Sequence, residues 1–276
     1  MDQNHKKDGM WILPATGPSP TVQMSEPDAF KNISSSNKFV VNLVREACQN
    51  TLDATDDATA VINFNYYKDE SLRYGDYSKF FSGLNNFIKK SQIQDEAPEK
   101  IKPGEYKQPD FILIQDYGTG GVEGEIGSDR ENNFWQFFLN WGISNKNKNR
   151  IKGNLGQKGL GRQAFLWVSR IKSCFVLSKR ANDKALCGMS FLNAHSDEGV
   201  QFAPQAVFAK GTFNSVYELH SGSEQEVTDD EETLVNDFEH KFKIDFEEDE
   251  TGTAIVIPLP RIKFSDNFEV VAKASL

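Results

Sequence analysis

Glu46, Asn50 and Asp53, three side chains able to move a proton or hold a cation, stand at spacings i, i+4 and i+7 in the stretch over residues 37–53. At about 100° per residue, a helix would project them within a ~60° arc. Val40, Val41, Val44, Ala47, Cys48, Thr51 and Leu52 fill a separate arc expected to face the core, while Asn42, Arg45 and Gln49 form a polar sector expected to face water. An amphipathic surface helix needs only two such faces, so an acid and amide face asks for a partner. Taken alone, the three residues equally suit a solvated surface, because Asp and Glu are rarely buried unpaired.

Another carboxylate, Asp116, follows the short apolar strand expected over Phe111 to Ile114 and leads into Tyr117-Gly118-Thr119-Gly120-Gly121. Glycines beside a strand-end acid let the backbone approach a flat ligand while the acid accepts its hydrogen bond, although D-x-G also serves an ordinary turn. Farther on, Gly153-Asn154-Leu155-Gly156-Gln157-Lys158-Gly159-Leu160-Gly161 runs into an apolar helical stretch over residues 164–168. Backbone N–H groups at such a helix start form an anion site that glycines leave open to phosphates. A dinucleotide fold would want its glycines directly after a strand, but the preceding residues 144–152 are polar and basic. Nor does the loop end in the Gly-Lys-Ser/Thr of a Walker A site, and the His-Arg-Asp and Asp-Phe-Gly elements of protein kinases are missing.

In order, E-x-x-x-N-x-x-D-A from Glu46, D-x-G-x-G from Asp116, G-x-x-G-x-G from Gly156 and Gly252-Thr253 on a terminal strand resemble the GHKL, or Bergerat-fold, ATPases. That superfamily includes gyrase subunits, ninety-kilodalton heat-shock chaperones, MutL and MORC proteins and sensor histidine kinases. The resemblance spans residues 36–260 and looks nearest the heat-shock chaperone branch, through the glycines of 155–161 and the G-x-S-x-K of Gly142 to Lys146. It implies Mg2+-dependent ATP hydrolysis, with Glu46 as general base, Asn50 as the magnesium ligand and Asp53 lining the nucleotide pocket. Asp116 would accept a hydrogen bond from the adenine amino group, and Gly118 and Gly120 would admit base and ribose. Gly156, Gly159 and Gly161 match the lid glycines around the phosphates, Thr253 the threonine near adenine, and Lys146 and Lys158 are candidate phosphate neighbours. The histidines, His5, His195, His220 and His240, sit in no phosphoacceptor setting, and Leu160-Gly161-Arg162-Gln163-Ala164-Phe165 replaces the MutL lid signature. The implied function is an ATPase whose lid closure drives dimerisation or conformational change in a larger protein. The alternative is a nucleotide-sensing switch that binds ATP with little hydrolysis and acts through partner proteins.

Length and composition fit that scale. With 276 residues and 38% hydrophobic content, the chain can bury one sizeable core. The expected organisation is an N-terminal arm over 1–35, an ATP-binding domain over 36–265 and the start of a following segment over 266–276. A net charge of −9 argues against general affinity for nucleic acid or acidic membranes. The basic segment 146–162, which carries Lys146, Lys148, Arg150, Lys152, Lys158 and Arg162 without an acid, suits a triphosphate, with a DNA-contacting loop as the lesser alternative. Residues 224–250 hold thirteen acids and read as solvated loops, with capture of a partner or client as the other reading. Cys48, Cys174 and Cys187 form no C-x-x-C pair, there is no apolar leader, and no run reaches the ~20 apolar residues of a membrane span. The expectation is a soluble, cytoplasmic protein with reduced thiols. Residues 268–276 read as an unfinished helix with no following lysine for a γ-phosphate, so the chain is expected to be the front of a longer protein, homodimeric when complete.

The elements that would carry these residues are a helix over 37–53, a strand over 59–67, a helix over 77–91 and the Asp116 strand. An aromatic helix over 132–141, four further strands over 173–178, 186–192, 213–219 and 253–259, and an irregular arm over 1–35 complete the pattern. In the 132–141 stretch, Phe134, Trp135, Phe137, Phe138 and Trp141 follow helical spacing and read as core. Helices early and hairpin-like strands later predict an α+β two-layer sandwich with a mostly antiparallel sheet and helices on one face.

Overall fold

A computed structural model describes residues 5–8, 10–16, 36–55, 59–68, 75–91, 101, 104–122, 163–210, 217–220 and 229–261. In chain order its elements are β1 (His5–Asp8), β2 (Trp11–Thr16), α1 (Ser36–Asp53), β3 (Val61–Tyr67), a 3-10 turn (Ser78–Phe81), α2 (Leu84–Lys90) and β4 (Phe111–Tyr117). There follow α3 (Gln163–Val168), β5 (Ser173–Lys179), β6 (Asp183–Phe191), β7 (His195–Asp197), β8 (Val200–Phe202), β9 (Gln205–Phe208), β10 (Tyr217–His220), α4 (Asp229–Phe242) and β11 (Gly252–Pro258). The fold is α+β, as expected. Its sheet runs β3-β4-β11-β5-β6-β9-β2-β8-β7, with β1 on β2 and β10 on β6, and the strands pair antiparallel throughout.

Strand alternation divides the core into two. Phe111, Leu113, Phe175, Leu177, Ala254 and Val256 point to one face, where the 3-10 turn, α2 and α4 cover them. Ile112, Ile114, Cys174, Val176, Ile255 and Ile257 point to the other, under α1 and α3. The sheet therefore carries helices on both faces rather than on one. The physical sign is the unbroken apolar run of β4 and β11: a strand with a wet face alternates, and these do not.

Residues 5–8 and 11–16 are strands and not part of an irregular arm. Trp11, Ile12 and Leu13 are fully buried, and Trp11 Nε1 donates to Phe80 O at 2.8 Å. The helix expected over 77–91 is interrupted: the 3-10 turn ends at Phe81, and Gly83, at φ +88°, starts α2 afresh. Part of the acidic stretch is helix α4, which packs Leu234, Val235, Phe238 and Phe242 into the core. Its acids are taken up in ion pairs with residues distant in the chain: Lys210 pairs with Glu231, Lys79 with Asp237 and Lys184 with Glu239. Acids in the first turn also favour the helix, because they face the positive end of its dipole. Of the strand expected over 213–219, residues 213–216 lie outside the described residues and the described strand is Tyr217–His220, while the helix expected over 132–141 lies outside them entirely.

On α1 the core side is Val40, Leu43, Val44, Ala47 and Thr51, spaced i, i+3, i+4, i+7 and i+11. Val41 (38% exposed) and Leu52 (67% exposed) lie on a separate outward stripe, correcting their placement in the core. Eleven residues apart, they project within ~20° of each other, and that stripe is rotated away from the sheet.

Candidate functional site

Asp116 is the penultimate residue of β4, and its register explains its surroundings. Ile62 of β3 is its partner on one side, while Thr253 of β11 is opposite Ser178 of β5. With a side-chain period of two, Asp116, Thr253 and Ser178 follow Ile114, Ile255 and Val176 on the face covered by α1. A polar row thus borders the apolar one at that end of the sheet.

Asp116 Oδ1 accepts a hydrogen bond from Thr119 Oγ1 at 2.6 Å and from the Thr253 backbone N–H at 3.0 Å. Its Oδ2 has the Thr51 hydroxyl at 3.5 Å, at the outer limit of a hydrogen bond. Burial pushes the Asp116 carboxyl above the usual carboxylate range, opposed first by the Thr119 bond and then by Thr253 and Thr51. Backbone fit is close here. A Cβ at Gly252 would stand 2.1 Å from Asp116 O, so only glycine lets β11 lie against β4. Gly118 has φ +78° and would place a Cβ 2.9 Å from Thr59 O, while its N–H donates to Thr251 O at 3.1 Å. Gly120 is exposed and follows Thr119, which is buried.

Thr51 links this pocket of polar groups to α1. Asn50 is its neighbour, and Glu46 lies one turn before Asn50, ~7.5 Å along the axis from Thr51. Both Glu46 and Asn50 are half-buried, on the shoulder between the core side and water. Burial raises the Glu46 carboxyl above its ordinary value, and the adjacent Arg45 charge partly offsets it. The Asn50 side-chain nitrogen is buried without a hydrogen-bond partner among the described residues. A half-turn of the amide presents its oxygen at the same place, so a neutral ligand for a hard cation fits there. Asp53 is exposed at the last residue of α1.

Of the residues singled out by sequence, Asp116, Thr253 and the helix carrying Glu46 and Asn50 come together, with Gly118 in the adjoining turn. Lys146, Gly156, Lys158, Gly159 and Gly161 lie outside the described residues. Thr51 and Thr119 went unassigned in the sequence. Thr51 read as core, which its 5% exposure also supports, while Thr119 stands three residues after an aspartate, the spacing at which a short hydroxyl bonds back in a turn. All three cysteines are free thiols; Cys174 and Cys187 are fully enclosed, and burial holds both thiols well above their usual range. No described helix is long and apolar enough to cross a membrane.

The chain matches no family model and no curated protein sequence. Among solved structures it is similar to the ATPase region of Saccharomyces cerevisiae topoisomerase II, at 10% identity and a TM-score of 0.29. That alignment covers 89% of this chain and 52% of the other. So loose a likeness adds no weight to any residue assignment.

Proposed function

We propose that the chain binds ATP with Mg2+ and hydrolyses it, the adenine being recognised at Asp116. The observation that carries this reading is the contact between Thr51 on α1 and Asp116 on β4. It joins the part-buried acid that opens the D-x-G-x-G turn to the helix that holds Glu46 and Asn50, which the ordered sequence pattern assigns to one ligand. In this reading Asp116 receives the exocyclic amino group of adenine, and Gly118 and Gly120 let the base and ribose lie against the backbone. Asn50 would hold the magnesium ion, which neutralises phosphate charge when bound. Glu46, whose carboxyl burial raises above its ordinary value, takes the proton of the attacking water. Thr253 borders the base, and Asp53 stands at the pocket's rim. Lys146, Lys158, Gly156, Gly159 and Gly161 complete the phosphate side, and closure of that segment couples ATP to dimerisation or to a change in a larger protein.

The test separates binding from turnover. Glu46→Ala is expected to retain ATP affinity while kcat falls ~10²–10⁴-fold, the usual contribution of a positioned base. Hydrolysis at the unaltered rate would remove Glu46 from that role. Tight ATP binding by the unmodified protein without any turnover would favour the nucleotide-sensing switch instead.

A further inference from the structure

The two oxygens of Asp116 are held very unequally. Oδ1 takes both strong bonds, from Thr119 Oγ1 and the Thr253 N–H, whereas Oδ2 has only the 3.5 Å approach of Thr51. Thr119 is itself fixed from two directions. Its carbonyl accepts the Thr251 hydroxyl at 2.6 Å, and its own hydroxyl is also 3.4 Å from the Gly121 N–H. At 2% exposure, with Gly118 supplying the positive φ of the turn, the buried Thr119 hydroxyl bonds the Asp116 carboxylate at 2.6 Å and meets the turn's own Gly121 N–H only at 3.4 Å. A valine of the same shape would satisfy the packing.

We propose that Thr119 is a positioning residue for base recognition: by occupying Oδ1 it presents Oδ2 to the ligand and makes that oxygen the acceptor for the amino group of a 6-aminopurine. The inference rests on the reading of Asp116 as the base-recognising acid. Either oxygen of a carboxylate accepts, so one free to rotate would meet the amino group in an aligned geometry only part of the time, weakening the bond that favours an amino donor over a carbonyl at the same ring position. Thr119 also donates the first of the bonds that oppose the effect of burial on this carboxyl and so favours its charged, acceptor form.

The experiment measures equilibrium affinity for ATP and for inosine triphosphate, which carries a carbonyl in place of the amino group, in the presence of Mg2+. It compares the unmodified protein with Thr119→Val and Thr119→Ser. The unmodified protein is expected to prefer ATP. Thr119→Val should cut that preference ~10-fold, the scale of one hydrogen bond to a charged group, while affinity for the inosine nucleotide stays level. Thr119→Ser should restore the preference, and Thr119→Val should lose ATP affinity on acidification at a higher pH than the parent. Should Thr119→Val fail to fold, Thr119→Ala removes the hydroxyl without crowding and is read by the same ratio. An unchanged ratio in the folded hydroxyl-free variant, or a serine variant no better than valine, overturns the role of Thr119 alone. An unmodified protein that binds both nucleotides equally overturns the reading of Asp116 and this inference with it.

Discussion

On one face of the sheet, Phe175 lies among Trp11, Phe80, Phe81, Phe208, Phe238 and Phe242, with ring centroids 5.4 to 6.5 Å away. Polar tips there are bonded, Trp11 Nε1 to Phe80 O and Tyr77 Oη to Lys241 O, each at 2.8 Å. The opposite face, under α1 and α3, is packed mostly with aliphatic side chains and thiols, with Phe165 and Phe191 among them, and ends in the partly satisfied Asp116 and Asn50. Large rings contribute stability through area and edge-to-face geometry. A part-buried carboxylate with one oxygen barely partnered contributes less, because the cost of burial opposes its bonds. Stability is concentrated on the aromatic face, while the other ends in a carboxylate and an amide that retain hydrogen-bonding capacity, an arrangement that a ligand would complete.

The sharpest way to break that contrast is to remove the aromatic anchor. Trp11→Ala is expected to cost ~3–5 kcal/mol in urea unfolding, the range for deleting a buried tryptophan. A loss below ~1 kcal/mol would mean that β2 is not part of the core. Next in size, Gly252→Ala forces a methyl group onto Asp116 O. It should destabilise by ~1–3 kcal/mol and weaken ATP binding together, since the strand can yield only by moving Asp116.

Asp116→Asn sharpens the comparison by reversing the sign. Burial raises the folded-state pKa of this carboxyl, so the folded protein holds the proton more tightly than the unfolded chain. Its contribution to stability is greatest below the ordinary carboxylate pKa and is lost as pH rises through the raised value. At neutral pH, Asp116→Asn should therefore leave the unfolding midpoint unchanged or raised, even as ligand binding suffers. A marked drop in the midpoint would make Asp116 structural. Smallest of all, Lys79→Ala on the rim of the aromatic face removes the ion pair with Asp237 and should shift stability by only ~0–1 kcal/mol.

Local periodicity made α1, β4 and β11 readable from sequence, and with them the acid, amide and glycine positions of the candidate site. What escaped depended on distant partners. β2 carries Pro14 beside Trp11, Ile12 and Leu13, and pairing with β1 and with the distant β8 and β9 makes a strand of it. Helix α4 was hidden by its acids, whose counter-charges Lys79, Lys184 and Lys210 are remote in sequence. The core side of α1 was misjudged because Val41 and Leu52 are apolar yet outward, and burial of Leu43 shows which stripe meets the sheet. Thr119 was passed over because its hydroxyl gains meaning only beside Asp116 Oδ1.

The most direct measurement is calorimetric titration of ATP into the unmodified protein and into Asp116→Asn, both shown to be folded, in the presence of Mg2+. Saturable binding by the first and affinity ~10–100-fold weaker in the second is the predicted result, because asparagine sets a donor against the adenine amino group. Equal affinity in the two proteins, or no binding by the unmodified one, would contradict an adenine site at Asp116.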